Sequence, residues 1–262
     1  MFDLWLFRKP ALDGASVAAF ALPASAFSIL LYLTLYLQTI LGLSPLQAGL
    51  RFLPMTVAML IASAVAGELT ERVPVRLLLG SGLALVGAGL MLMRGLTASS
   101  GWSDLLVGFI VSGIGVGMVN PGLASAAIGV VTPEHSGMAS GINSTFRQVG
   151  IATGIAALGA IFSLKLSSTL AHKLAGTAAQ THAGQLAHAV ASGGAASVIH
   201  AAPAAQRAQA ATAIRAAFAG SLNDILLVAA IVAFVAAGLA LALVGQSNFV
   251  TSPAAAATPA AA

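Results

Sequence analysis

The side chains best able to do chemistry in this sequence are a few uncharged polar groups within long apolar stretches. Tyr36 and Gln38 stand near the end of the first stretch, and Asn120 is followed directly by Pro121 in the fourth. A proline inside a helix frees a carbonyl one turn earlier, and membrane helices tolerate such a break where they line a cavity. Together with Asn143 in the fifth stretch, these residues are the predicted lining of a cavity for a small molecule.

Other roles remain open for some of these groups and for the two charges nearest to lipid. Tyr36 and Gln38 are close enough to a helix end to be interfacial anchors. Arg147 follows Asn143 by one helical turn, so it either takes part in a gate or extends its charged head to the interface. Arg51, near the end of the second stretch, is interpreted as a residue of the second kind.

Ionisable groups are missing from the middle of every apolar stretch. Asp104 and Asp224 stand where stretches begin, and no Asp, Glu, Lys or His lies at mid-depth. A proton-driven carrier needs an ionisable group inside a cavity, and an enzyme within the membrane needs paired reactive groups. The chain has no cysteine, which excludes thiolate chemistry. The sequence therefore predicts no enzyme, no catalytic residue and no cofactor.

Histidines are the remaining candidates for a metal site, because four of the five share one segment. Their spacings place no two of them one turn apart on a helix, and no carboxylate lies among them. A solvated surface is therefore favoured over metal binding. These histidines are His172, His182, His188 and His200.

The composition requires lipid as the main solvent. Hydrophobic residues make up 58% of the 262 residues, charged residues only 7%, and the mean hydropathy is +0.97. A soluble domain carries about 25% charged residues, so this chain could not cover a water-facing exterior. The net charge of +4 is too small for a phosphate-binding surface. A lipid bilayer is the predicted partner, and nucleic acid is not.

Charges and turn signals divide the chain into six helices that are long enough to cross a bilayer. A hydrocarbon core of about 30 Å needs roughly 20 residues of helix. Ser44, Pro45 and Gln47 form a capping pattern that begins the second helix. An all-α integral membrane fold is therefore predicted. The predicted spans are Ser16–Gln38, Pro45–Ala66, Val75–Met93, Asp104–Val131, Gly137–Leu164 and Asn223–Val244.

The basic residues of the short loops predict the orientation. Arg8, Lys9, Arg72 and Arg76 lie on one side, which places both termini in the cytoplasm. The long segment after the fifth span is expected to form surface helices near Leu166–Leu174 and Ala205–Ala219. The predicted regions are a cytoplasmic lead-in (1–15), spans one to five (16–164), an extracytoplasmic Ala/His-rich loop with helical pieces (165–222), the sixth span (223–245) and a low-complexity cytoplasmic tail (246–262).

Pairs of glycines four residues apart predict close helix packing. Small residues at this spacing let membrane helices approach each other. The pairs are expected to bring the fourth and fifth spans close to each other or to neighbouring spans. They are Gly113/Gly117, Gly137/Gly141 and Gly150/Gly154.

The turn after the second span carries a pattern of glycine and charges. It reads Gly67-x-x-x-Glu71-Arg72-x-Pro74-x-Arg76, which resembles the major facilitator loop signature Gly-x-x-x-Asp-Arg-x-Gly-x-Arg. Glu71 replaces Asp and keeps the charge pair, whereas Pro74 replaces the glycine of the turn. Residues 36–54 and 137–148 resemble the corresponding parts of fourteen-helix drug–proton antiporters of the EmrB/QacA type.

This resemblance implies a fold, a function and a missing partner. The six helices would form one lobe, a 3+3 inverted repeat, of a major facilitator fold. The chain would be the C-terminal half of a proton-coupled exporter of lipophilic small molecules in the bacterial cytoplasmic membrane, working by alternating access with an N-terminal lobe. The alternative is a non-transporting membrane remnant or scaffold.

The resemblance also implies roles for particular residues. In the family, the first and fourth helices of each half line the cavity, which supports Tyr36, Gln38, Asn120 and Pro121. The implied gating residues are Gly67, Glu71, Arg72, Arg76 and Arg147.

Overall fold

The structure is a computed structural model that describes residues 10–70, 72–129, 136–173, 183–201 and 203–244. Every regular element among these residues is helical. The α-helices are α1 (Pro10–Leu22), α2 (Ser28–Leu35), α3 (Pro45–Arg51), α4 (Leu53–Leu69), α5 (Val75–Leu92), α6 (Ser103–Gly129), α7 (Ser136–Lys173), α8 (Ala183–Ala191), α9 (Ala195–Ala201) and α10 (Arg207–Leu243).

The described residues contain six helical stretches long and apolar enough to cross a membrane, which confirms the predicted all-α, six-span architecture. We call them the first to sixth spans. They are Asp13–Ile40, Pro45–Leu69, Val75–Leu92, Ser103–Ser125, Gly137–Lys173 and Ala204–Leu243.

The first span is one continuous helical rod with two wider π-helical turns. These turns, Pro23–Phe27 and Tyr36–Ile40, follow α1 and α2 respectively. Proline has no N–H to donate, so the ladder is locally rearranged, and the N–H of Ser28 reaches back to the carbonyl of Pro23. The rod ends at Gly42, whose φ of +70° favours glycine.

The predicted capping box is present at the N-terminus of the second span. The hydroxyl of Ser44 accepts a hydrogen bond from the N–H of Gln47 at 3.2 Å, and the N–H of Ser44 donates to the Gln47 side chain at 3.0 Å. The third span starts after Pro74, which has a φ of −54° and a ψ of 130°. The chain therefore enters α5 without a glycine at this position.

The fifth and sixth spans are longer than predicted. Helix α7 continues past Leu164 to Lys173, and α10 begins at Arg207, well before Asn223. The pieces expected on the surface are thus extensions of these two helices, and α8 and α9 lie between them. Alanine-rich helices propagate at little cost once they are nucleated, and buried Leu166 and Leu170 continue the apolar face of α7.

The extensions, together with α8 and α9, form what we call the cap. The cap is residues 165–173, 183–201 and 207–222. We call the end of the bundle that carries it the cap end, and the opposite end, which holds residues 72–74, the turn end.

Two parallel helix pairs pack through glycines. A Cβ on Gly113 or Gly117 would collide with the carbonyl oxygen of Met55 or Met59, so α6 lies directly on the second span. A Cβ on Gly150 would collide with the carbonyl of Phe20, and Gly154 is as close to Ala24 and Ser28 of the first span. In a 3+3 inverted repeat, contact between the second and fourth spans corresponds to contact between the fifth and first. The packing follows that pattern.

The remaining glycine pair, Gly137 and Gly141, makes no such contact. Apart from the adjoining turns of α7 itself, no described residue places an atom within 4 Å of the Cβ positions of Gly137 and Gly141, so these glycines bring no neighbouring helix close. A contact that the sequence analysis missed joins the third and fourth spans instead. A Cβ on Gly115 would lie 2.6 Å from the carbonyl oxygen of Gly82, and one on Gly82 would lie 3.0 Å from that of Gly115.

Candidate functional site

An apolar cavity of about 280 Å³ lies between the first, second and fourth spans. We call it the inner cavity. Its wall includes part of the first π-helical turn, part of α2, the junction of α3 and α4 with the start of α4, and Val116 of α6. The lining residues are Ala26, Phe27, Leu30, Thr34, Phe52, Met55, Thr56, Met59 and Val116.

Helix packing sets the shape of this cavity. The backbone carbonyls of Met55 and Met59 pack directly against Gly113 and Gly117. The second span therefore lies close to α6 beside the cavity residue Val116. Phe52, where α3 meets α4, packs its ring 5.2 Å from that of Phe109. The walls are therefore positioned by backbone contacts rather than by the polar residues predicted to line the site.

The chemistry of the inner cavity is uncharged. Among the described residues, its lining consists of apolar, aromatic and thioether side chains with two hydroxyls. Thr34 donates to the carbonyl of Leu30 at 2.7 Å, and Thr56 donates to that of Leu53 at 3.0 Å. Each hydroxyl oxygen can still accept a hydrogen bond. Such a surface favours lipophilic molecules, and methionine adapts to varied shapes.

Tyr36 lies elsewhere than predicted. Its side chain is 1% exposed, and its hydroxyl donates to the carbonyl of Ser100 at 2.9 Å. Its ring lies 6.1 Å from that of Phe218, which packs edge-on against Phe162 at 4.9 Å. Tyr36 is thus a core residue at the cap end and has no surface open to a ligand in this conformation. The physical reason is that it shares the helical face of buried Tyr32 rather than that of Thr34.

Gln38, Asn120 and Pro121 are half-buried and stand just outside the inner cavity. Gln38 is one turn beyond Thr34 toward the cap end. Asn120 is one turn beyond Val116 toward the turn end. Since residues four apart share a helical face, the two predicted amides stand at opposite ends of the cavity along its own walls.

Asn143 is remote from the inner cavity. Gly150 of α7 packs at the level of Phe20 of the first span, so Asn143 lies near the start of α1. That level is about 20 Å along the helix axis from Ala26 and about 30 Å from Thr34. The Oδ1 atom of Asn143 is buried and has no hydrogen-bond partner among the described residues.

The predicted gating residues lie toward the turn end. Gly67, Arg72 and Arg76 are exposed, whereas Arg147 is half-buried on α7. Glu71 lies outside the described residues, so its predicted charge pair is not described.

The cap histidines are not gathered into a site. His172, His188 and His200 are exposed, and His182 lies outside the described residues. Within the described parts of the chain, no group of three His, Cys, Asp or Glu residues could hold a metal ion.

Sequence reasoning missed most of the cavity wall. Thr34 is indicated by the sequence, since it precedes Gln38 by one turn on a polar face. The sequence does not distinguish Met55, Thr56 and Met59 from their neighbours, because the lipid-facing and cavity-facing sides of this helix have similar residue compositions.

Comparison with known proteins gives a consistent set of matches. The family model described as "Major Facilitator Superfamily" matches residues 5–155. The chain is 35% identical over 156 residues to the methylenomycin A resistance protein of Streptomyces coelicolor, covering 60% of this chain and 33% of that protein. It is 33% identical over 170 residues to the multidrug resistance protein Stp of Mycobacterium tuberculosis, covering 65% and 32%.

A longer match extends through the cap and the sixth span. The chain is 29% identical over 239 residues to the multidrug efflux pump LfrA of Mycolicibacterium smegmatis, covering 91% of this chain and 47% of that protein. The chain thus spans between a third and a half of the length of these relatives.

Proposed function

Because the chain belongs to the Major Facilitator Superfamily, a family of multi-pass membrane transporters and not of enzymes, we propose that it is the C-terminal lobe of a secondary active exporter of small lipophilic molecules. The observation that carries this proposal is the inner cavity. It lies between the first, second and fourth spans, and its described lining is uncharged. The drug-resistance and efflux names of the relatives support an export role.

The proposal includes a second lobe that completes the substrate path. The second and fifth spans are the least covered by the rest of the chain. Only 17% of the most apolar stretch of the second span is buried, and 28% of that of the fifth. Their free faces leave room for a partner lobe beside the inner cavity. Rocking of two such lobes around a central site would expose the substrate to each side of the membrane in turn.

Proton coupling is assigned in this proposal to the partner lobe. The inner cavity has no ionisable group among its described lining residues. A coupling carboxylate must change its charge inside a cavity, and so it would have to come from the other lobe.

The turn end is proposed to face the cytoplasm of a bacterium, with both termini on that side of the plasma membrane. Two observations support this orientation. A Cβ on Gly14 would collide with Val244, so the start of the first span and the end of the sixth lie on the same side. Arg72 and Arg76 are exposed on that side, as expected for cytoplasmic loops. Here the loop signature and Arg147 are proposed to stabilise one end state of the rocking motion.

An efflux assay tests the proposal. The chain would be expressed with the N-terminal six helices of a relative such as LfrA in bacteria that lack their own drug pumps. Cells with both parts should retain less of a lipophilic fluorescent dye than cells with either part alone. Thr56→Trp should abolish this efflux, because the ring would fill the inner cavity.

Ser81→Trp is the matched control, since Ser81 is an exposed hydroxyl residue on the third span, away from the inner cavity. It should leave efflux unchanged. Efflux that survives Thr56→Trp would contradict the assignment of the cavity. No efflux with any partner lobe is the result expected of a non-transporting membrane scaffold.

A further inference from the structure

A second and larger cavity, of about 780 Å³, lies between the second and fourth spans at the cap end. We call it the outer groove. Its lining includes Leu50, Arg51, Val57, Ile61 and Trp102. None of its described lining residues belongs to the inner cavity, and the proposed transport function makes no use of it.

We propose that the outer groove binds one anionic phospholipid, with its phosphate at Arg51 and an acyl chain along the second span. Three features of the groove carry this assignment: a guanidinium that has no acidic partner among the described residues, an indole that fixes its position, and an apolar floor of matching length. The assignment does not depend on transport.

The positive charge of Arg51 is available for a ligand. In the part of the chain that the structure describes, Lys165 pairs with Asp224, and no carboxylate lies within 4.0 Å of Arg51. The Asp104 carboxylate, two residues after Trp102, accepts a hydrogen bond from the N–H of Gly101 at 3.2 Å. A guanidinium matches the geometry of a phosphate through paired hydrogen bonds.

The guanidinium is also held in place. Its carbon lies 4.5 Å from the centroid of the Trp102 ring, and the indole N–H donates to the carbonyl of Arg51 at 3.2 Å. This second contact orients the ring, and the ring supports the cation through its face. Tryptophan and arginine near a helix end are the residues that membrane interfaces favour. The pair therefore marks the level of lipid headgroups.

The apolar floor has the length of one lipid leaflet. From Leu50 to Ile61 the helix rises about 16 Å, close to half of a hydrocarbon core of about 30 Å. Leu50, Val57 and Ile61 are 54%, 51% and 61% exposed, so they offer free apolar surface along this distance. A headgroup at Arg51 thus places the acyl chain on these side chains without a mismatch in depth.

Trp102 provides a direct reporter, since the chain has two tryptophans and Trp5→Phe leaves Trp102 alone. The full chain with this substitution would be placed in phosphatidylcholine vesicles containing increasing fractions of lipid with brominated acyl chains. Bromine quenches nearby indole fluorescence. Brominated phosphatidylglycerol should reach half-maximal quenching at a roughly fivefold lower fraction than brominated phosphatidylcholine, the preference that one basic residue confers.

Two charge-removing variants separate a site from general attraction. Arg51→Gln should abolish the preference, whereas Arg215→Gln, which removes an exposed charge of α10 at the same end, should keep it. Arg51→Lys should retain part of it, which controls for altered fluorescence of Trp102. Each variant is normalised to vesicles without bromine.

The contrary outcomes are distinct. Equal quenching by the two lipids, or a preference that survives Arg51→Gln, would overturn the proposal. Absence of quenching by either lipid would also overturn it and would indicate that a second copy of the chain covers the groove.

Discussion

Asn223 and Leu96 exchange two hydrogen bonds across the cap end. The side-chain amide of Asn223 donates to the carbonyl of Leu96 at 2.8 Å, and its oxygen accepts from the N–H of Leu96 at 3.1 Å. The same oxygen accepts from the N–H of Gly95 at 3.1 Å. One side chain of α10, in the sixth span, thus pairs with the backbone of the loop between the third and fourth spans and fixes its position.

Asn223→Leu should lower the free energy of unfolding by about 2–3 kcal/mol, because two backbone N–H groups lose their partner at once. Unfolding of the purified chain in SDS, followed by circular dichroism, measures this change. Gln148→Leu is the control, since this exposed amide on α7 has no hydrogen bond among the described residues and its loss should change the free energy by less than about 0.5 kcal/mol. Equal effects of the two variants would show that the Asn223 contacts do not stabilise the fold.

Gly115→Ala should destabilise the bundle by about 1–3 kcal/mol, because overpacked helices must separate. The added Cβ would stand 2.6 Å from both the carbonyl of Gly82 and the N–H nitrogen of Val86. Gly141→Ala, at a position with open space, should be neutral or stabilise α7 by up to about 1 kcal/mol. The midpoint of thermal unfolding in detergent distinguishes the two, and a tolerated Gly115→Ala would refute the close contact.

Tyr36→Phe should cost about 1 kcal/mol of stability, since the Ser100 carbonyl loses its donor while the ring still packs near Phe218. The order in which the reassembled exporter prefers its substrates should not change, because the ring is buried. Unfolding in SDS and competition between dyes measure the two effects. An altered preference would mean that Tyr36 contacts substrate in another conformation.

Asn143→Leu should leave stability unchanged or raise it by about 1 kcal/mol, because it removes a buried oxygen without a partner among the described residues. The rate of transport by this variant with a partner lobe should nevertheless fall, because we expect the amide to find its partner in the opposite end state. Ser144→Leu is the control, because Ser144 is the exposed neighbour of Asn143, and it should change neither the stability nor the transport rate. Clear destabilisation by Asn143→Leu would show that the amide is already satisfied here.

Several features of the fold follow from local sequence and are found as predicted. The capping residues Ser44 and Gln47 contact each other within one turn, so no distant group can alter the start of the second span. The number of spans follows from the spacing of charges, because each uncompensated charge is costly in lipid. The family resemblance rested on such short, contiguous patterns as well.

Features that depend on which helix faces which required the tertiary structure. Tyr36 and Thr34 are two residues apart, and both have apolar neighbours in the sequence. Tyr36 is nevertheless in the core, whereas Thr34 lines the inner cavity. Gly113 and Gly141 occur in similar patterns, but only the first meets a neighbouring backbone. The sequence records that a helix has small or polar residues on a face and does not record what lies opposite.

The sequence by itself determined six membrane helices, the approximate starts of the first five and an interior without carboxylates, because hydropathy and capping act within a few residues of the chain. The tertiary structure alone decided the cavity wall, the pairing of Asn223 with the loop at Leu96, and the outer groove beside Arg51. Each of these joins residues of different helices. In lipid, every face of an apolar helix has nearly the same solvation energy, so only close packing between backbones selects the face that turns inward.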